Sequence, residues 1–247
     1  SWIWKESRDW KLSIHRQFSP DRLHKLDNIV KFYNTSDFAY RPKLLETGED
    51  FLREEFIEWE IINTLSTFDM ATIVNNIADL HKYHNQVQKL KDYLIHKSEF
   101  YVWTMASSES IKNAIAWYLH TLLMSVPKDA TIHTGYIHKD IRPWNVIKRP
   151  NDELIFIDWE WVEFGHILAD VQKIIHLFLQ YDTKKLDVFM NNFAKKITED
   201  REIVLMLDAF YYMMTTWLHL SKWKIDLEEF QRLMDFKFNS FIKWKLI

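Results

Sequence analysis

The 247-residue sequence predicts an α+β chain in two unequal lobes. A small N-lobe, residues 1–58, should hold an antiparallel sheet and one helix; a larger, mostly helical C-lobe should span 59–247. Three observations carry this reading. Apolar and polar residues alternate through much of the first 58 positions, the period of a half-buried strand. From about residue 67 onward the apolar residues recur at helical spacing instead. One non-helical island, residues 132–162, interrupts the helices and gathers His138, Asp140, Asn145 and Asp158.

In chain order, WIWKES and WKLSIHRQF flank the polar Arg8-Asp9 and read as a hairpin. SPDRLHKLDNIVKFYN then opens a helix, with Ser19 as N-cap, Pro20 at the first helical position and Asp21 in the first turn. Its apolar face is Leu23, Leu26, Ile29, Val30 and Tyr33. PKLLET and FLREEFIEW follow as two strands around the turn Gly48-Glu49-Asp50. In the helical part, Ile73, Ile77, Leu80 and His84 share one face, and Ser107 or Ser108 before Glu109 caps the next helix. Four more amphipathic helices are expected over 166–181, 184–197, 200–222 and 226–245.

Composition narrows the function. The chain is 47% apolar and 27% charged with a formal net charge of −3, so it lacks the basic footprint of a nucleic-acid binder. It has no cysteine, which excludes disulfides and thiolate metal sites. No apolar run approaches the ~18 residues of a membrane span, and the start lacks a signal-peptide layout. A soluble cytoplasmic protein is expected, although Ser1 stands where a Met would be. Its twelve tryptophans are spread along the chain and read as packing residues rather than an aromatic cage. Glycine occurs only at 48, 135 and 165.

The island carries the chemistry. Arg149-Pro150-Asn151-Asp152 between VIK and ELIFID marks a tight hairpin, so the second strand returns Asp158 to the side of Asn145 and Asp140. Three oxygen-bearing side chains then converge, a set that suits Mg²⁺, which takes one or two carboxylates and keeps room for water and phosphate. Asp140 sits in the loop and can accept a proton from an attacking hydroxyl. HKDIRPWN also has the spacing of the kinase signature, an Asn five residues after the Asp and a metal-binding Asp further on. A hydrolase metal site of His138, Asp140 and Asp158 competes with this reading, but no further His or carboxylate pair stands at ligand spacing.

These residues resemble those of the aminoglycoside phosphotransferase and choline kinase-like family, small-molecule relatives of the protein kinases. The loop HKDIRPWN stands where that family has His-Gly-Asp-Leu-x-x-x-Asn, and IDWEWVEFGHILADV resembles its metal segment. IADLH at 77–81 matches a helix ending in Leu-His, and FLREEFIEW resembles the strand leading to the adenine. The resemblance implies a bilobal protein kinase-like fold, with ATP and Mg²⁺ as cofactors. It implies Asp140 as catalytic base, Asn145 and Asp158 as metal ligands, and His138 and Asp170 as supports of the loop. Backbone groups of Glu55, Phe56 and Ile57 would meet adenine. Apart from the resemblance, the acids Glu160, Glu163 and those of DLEE at 226–229 suit a cationic substrate, with Trp159 beside Glu160 as a further contact.

The departures lie in the small lobe. No glycine precedes Gly48, so a glycine-rich phosphate turn is rebuilt or absent. Ser13 aligns with the family's phosphate-binding Lys or Arg, and Lys11, two residues away on the same face, is the expected substitute. Asp27 is the nearest helix acid to pair with that cation. The expected activity is transfer of the ATP γ-phosphoryl group to a hydroxyl of an aminoglycoside-like antibiotic, amino sugar or amino alcohol. The alternatives are a nucleotide-binding pseudokinase acting as an interaction module and, third, a protein kinase, for which no Asp-Phe-Gly or Ala-Pro-Glu segment is present. No nucleic-acid or membrane partner is expected.

Overall fold

The computed structural model describes residues 1–8, 11–58, 60–62, 65–83, 85–105, 109–179, 182–196, 199–223 and 227–245. Within those helices and strands, the side chains of 8, 11, 60–61, 100–105, 111, 176–177, 183, 217–223 and 239–245 lie outside the description. The expected cap at Ser107 or Ser108 and the facial residue His84 therefore lie outside the described residues.

The N-terminal hairpin pairs β1 (Trp2–Arg8) with β2 (Lys11–Gln17), Trp2 opposite Gln17 and Arg8 opposite Lys11. Ser19 makes no side-chain cap: Pro20–Arg22 form a short 3-10 turn, and α1 (Leu23–Thr35) begins only after it. β3 (Leu44–Thr47) and β4 (Phe51–Glu55) complete a sheet in the order β1-β2-β4-β3. β4 stops at Glu55, four residues short of the expected end. β5 (Glu60–Ile61) follows, then α2 (Thr67–Lys82). Ser66 and Asp69 close a capping box at the start of α2 and satisfy two otherwise unpaired donors.

Next come β6 (Gln86–Lys89), α3 (Leu90–Met105) and α4 (Glu109–Ser125). The island begins with β7 (Thr131–Ile137) and continues as β8 (Val146–Lys148) and β9 (Leu154–Phe156), an antiparallel hairpin with Val146 opposite Phe156. Arg149 closes the turn by donating to the Glu153 carbonyl, with Asp152 in the left-handed region at φ 64. β10 (Glu163–Gly165) pairs with β7, and α5 (Leu168–Leu177), α6 (Thr183–Phe193), α7 (Arg201–Trp223) and α8 (Leu227–Lys245) follow.

The chain forms two compact units. One comprises Ser1–Asn85 and Thr134–Ile197, and so holds the N-terminal sheet together with the island's hairpin. Its core is aromatic: Phe32 of α1 stacks on Trp159 at 4.5 Å, and Phe38 lies against both Phe156 and Trp159. Such rings bury large apolar areas and fix geometry, which here ties α1 to the segment after β9. Asn76 of α2 donates to the Leu154 carbonyl at 3.2 Å, anchoring the hairpin from its other side. The second unit, Gln86–His133 with Thr198–Ile247, packs α3, α4, α7 and α8; the Tyr118 hydroxyl donates to Asp235 at 2.6 Å to join α4 to α8. No described helix is long and apolar enough to cross a membrane.

Candidate active site

β7 runs directly into His138, which is fully buried. Its Nε2 lies 2.9 Å from the Ile157 carbonyl, while its Nδ1 accepts from the Asp140 amide at 3.3 Å. One nitrogen donating and one accepting describes a neutral imidazole. Burial agrees, pushing the His138 pKa below its ordinary value against the pull of the Ile157 carbonyl and of Asp158 and Asp140. Trp159 covers the ring at 4.4 Å.

The loop then turns through Lys139, whose φ of 67 is a left-handed conformation that side chains rarely adopt. Asp170, in the first turn of α5, holds it there. One carboxylate oxygen accepts from the His138 amide at 2.9 Å and the other from the Lys139 amide at 2.6 Å. Burial raises the Asp170 pKa to about 7, although the two amide bonds oppose the shift. Lys139 itself reaches Glu163 at 2.9 Å.

Asp140 follows, with a largely buried carboxylate. Arg142 pairs with its Oδ1, and Asn145 donates from Nδ2 to the Asp140 carbonyl at 2.9 Å and to its Oδ2 at 3.1 Å. Asn145 closes a one-turn 3-10 helix, Pro143–Asn145, and its own carbonyl accepts from Ile157 at 3.0 Å. The hairpin therefore brings Asp158 beside the Asn145 end of its partner strand. Asp158 has φ 64 and ψ 59, a strained backbone of the kind that collects at functional positions. Its Oδ1 accepts from Arg16 at 2.7 Å.

The oxygens fit a hard cation. Asn145 uses only its nitrogen and Asp158 only one oxygen in bonds to described residues, leaving Asn145 Oδ1 and Asp158 Oδ2 as acceptors. Among the described residues no group of three or more His, Asp or Glu could hold a metal. Two such oxygens, with water and phosphate to complete the coordination sphere, would suit Mg²⁺.

The N-terminal sheet also brings to Asp158 a cation that the sequence reading did not single out. Arg16, 5% exposed, projects from β2 to Asp158 and lies 3.4 Å from Glu160. The Lys11 side chain lies outside the described residues. Ser13 is buried with an unpartnered Oγ, and by the two-residue period of a strand it faces away from Arg16. The signal for Arg16 was present: it stands between Ile14 and Phe18 on one strand face. Asp27 is exposed and cannot pair with it; α1 turns Lys25 inward instead, four residues before buried Ile29 and seven before Phe32.

Two further expectations need correction. Trp159 is 1% exposed and donates its indole N–H to the Phe156 carbonyl at 2.8 Å, so it is a core residue with no face left for substrate. Glu160 is also largely buried. Its Oε1 accepts from Lys25 at 2.7 Å and Arg22 at 2.9 Å, and its Oε2 from Arg16 at 3.4 Å and the Ser1 hydroxyl at 3.3 Å. Burial alone would raise its pKa, but the Lys25 bond and the three cations outweigh that and hold the carboxyl below its ordinary value. A cationic substrate would meet three positive charges there.

At the end of β4, Glu55 donates its amide to the Lys43 carbonyl, and the next residue, Phe56, donates its amide to the Leu12 carbonyl. Ile57 has no amide partner among the described residues, and its side chain packs on Ile147 and Ile155 of the hairpin.

No protein-family model matches the chain, and no curated protein matches it in sequence. Solved structures do match in fold. The choline kinase LicA from Streptococcus pneumoniae superposes with a TM-score of 0.63 at 15% identity, covering 98% of this chain and 89% of that one. A thermostable mutant of the aminoglycoside phosphotransferase APH(4)-Ia gives 0.60 at 10% identity over 99% and 95%. A macrolide 2′-phosphotransferase type I gives 0.58 at 10% identity over 94% and 85%. The chain thus has the protein kinase-like fold of choline kinases and aminoglycoside phosphotransferases, a fold shared with small-molecule kinases.

Proposed function

We propose that this chain is an ATP-dependent phosphotransferase that moves the γ-phosphoryl group to a hydroxyl of a small molecule. The carrying observation is that Asp140, Asn145 and Asp158 meet where β7 and one hairpin end, with buried Arg16 bound to Asp158. Residues 1–58 act as the nucleotide-binding lobe, and 59–247 carry the catalytic loop. The Ile57 amide, without a partner among the described residues, would donate to adenine, and Arg16 would be the strand cation that reaches toward the phosphates. Asn145 and Asp158 would hold Mg²⁺ through their remaining oxygens, and the ion would neutralise charge on the phosphate oxygens.

Asp140 orients the acceptor hydroxyl and takes its proton as that oxygen bonds to the γ-phosphorus. The bond to the β,γ-bridging oxygen breaks and ADP leaves. His138 and Asp170 fix the loop so that little reorganisation accompanies the step. LicA has been solved with AMP and the aminoglycoside phosphotransferase APH(2″)-IIa with gentamicin. Amino alcohols and amino sugars are therefore the first acceptors to try.

A nucleotide-binding module without turnover is the second reading, favoured by the pairing of Asp140 with Arg142 and of Asp158 with Arg16. ADP release with Mg²⁺ATP and a panel of aminoglycosides, choline and other amino alcohols separates the two. Asp140→Ala should lower turnover by about 10²–10⁴-fold, the usual worth of a positioned base. Undiminished turnover in that variant would remove Asp140 from the mechanism.

A further inference from the structure

Glu160 is one carboxylate shared by three consecutive elements of the N-terminal region, all far from it in sequence. Lys25 lies on α1, Arg22 on the turn before it and Arg16 on β2, and all three reach Glu160 within 3.4 Å. Lys25 is further fixed by the Trp161 ring, 3.3 Å from its ammonium. Arg16 in turn is the group that touches Asp158, only two residues before Glu160. The stretch from β2 into α1 supplies the cations, and the segment after β9 supplies the acid.

From this we infer that Glu160 is a positioning residue for the nucleotide site, setting both the place of α1 and the direction of Arg16. This rests on the phosphotransferase reading above. Without the Glu160 charge, buried Arg16 and Lys25 are left crowded together beside the part-exposed Arg22. Among the described residues Arg16 then keeps Asp158 as its hydrogen-bonded acid, with Glu54 acting on it through charge alone, and it is drawn onto Asp158 rather than held beside it.

The sign of the effect separates this role from a mere counter-ion. If Glu160 only balanced charge, its neutralisation would expose cations and tighten binding of an anionic nucleotide. If it positions Arg16, binding weakens. The probe is a non-hydrolysable ATP analogue with Mg²⁺, titrated calorimetrically against the full chain, with folding checked by circular dichroism.

Glu160→Gln should weaken binding about tenfold, in the range seen when a partner that orients a ligating group is removed. Glu160→Asp, which keeps the charge but is shorter, should lose less and guards against a folding defect in the first variant. In an Arg16→Met background, Glu160→Gln should add almost nothing, because the two act as one unit. Unchanged or tighter binding in folded Glu160→Gln would overturn the inference, as would a full further tenfold loss on Arg16→Met. A wild-type chain that binds no nucleotide would instead bring down the phosphotransferase reading itself, and the inference with it.

Discussion

Gly135 offers a sharp test of how the loop is positioned. It lies in β7 opposite Gly165, three residues before His138. A β-carbon added there would sit 1.9 Å from the His81 carbonyl oxygen and 2.8 Å from its carbon, at the end of α2. No glycine in the described chain has positive φ, so close approach rather than backbone handedness is what requires this residue. Strand and helix would have to part by roughly an ångström, and neither can yield by a side-chain rotation. Overpacking costs about 1–3 kcal/mol, and a backbone-on-backbone clash belongs at the upper end. For a chain of this size, about 3 kcal/mol lowers Tm by roughly 6–12 °C. Gly48→Ala is the control, because its added carbon meets only the Phe51 ring, 2.1 Å away at Cε1. The ring can turn, at a cost of about 1 kcal/mol. Urea and thermal denaturation of both variants read the difference. A Gly135→Ala change within about 0.5 kcal/mol of wild type would refute the close approach of β7 to α2.

Lys139 and Asp170 give two further expectations. Lys139 carries a left-handed backbone that costs a non-glycine residue about 1–2 kcal/mol, whereas glycine loses about 0.5–1 kcal/mol in unfolded-state entropy. Lys139→Gly should therefore stay within about 1 kcal/mol of wild-type stability in urea, while β-branched Lys139→Val should lose about 2 kcal/mol or more. Asp170 titrates near 7 in the fold against an ordinary 3.8, so the folded state binds the extra proton between those values. Its contribution is full below the lower value and is lost as pH rises through about 7. Asp170→Asn should flatten that part of the stability profile, measured by urea unfolding from about pH 5 to about pH 8. A profile identical to wild type would contradict it.

What was legible in the sequence was local. HKDIRPWN and the turn at Arg149–Asp152 fix a loop and a hairpin through near neighbours, so Asn145 and Asp158 could be brought together from spacing alone. The N-terminal sheet was legible in strand order for the same reason. The contact of Arg16 with Asp158 was not legible, because Lys11 and Ser13 were sought by residue type along the other strand face, and the face that meets Asp158 is set by packing against α1 and the hairpin. Asp27 was chosen as the nearest acid, but burial of Ile29 and Phe32 turns Lys25 inward and leaves Asp27 in solvent. Glu160 looked like a contact for a cationic substrate because it is acidic, and Trp159 because it stands between it and Asp158. Their burial depends on Phe32 and on three cations more than 130 residues earlier, contacts that no spacing reveals.

Nucleotide affinity with and without Mg²⁺, in wild type and Asp158→Asn, is the most direct measurement of the site and needs no knowledge of the acceptor. In wild type Mg²⁺ should tighten binding of a non-hydrolysable ATP analogue by about tenfold or more, and in Asp158→Asn that gain should vanish. An affinity indifferent to Mg²⁺ in wild type, or the same gain in the variant, would contradict a metal-assisted phosphoryl-transfer site at Asn145 and Asp158.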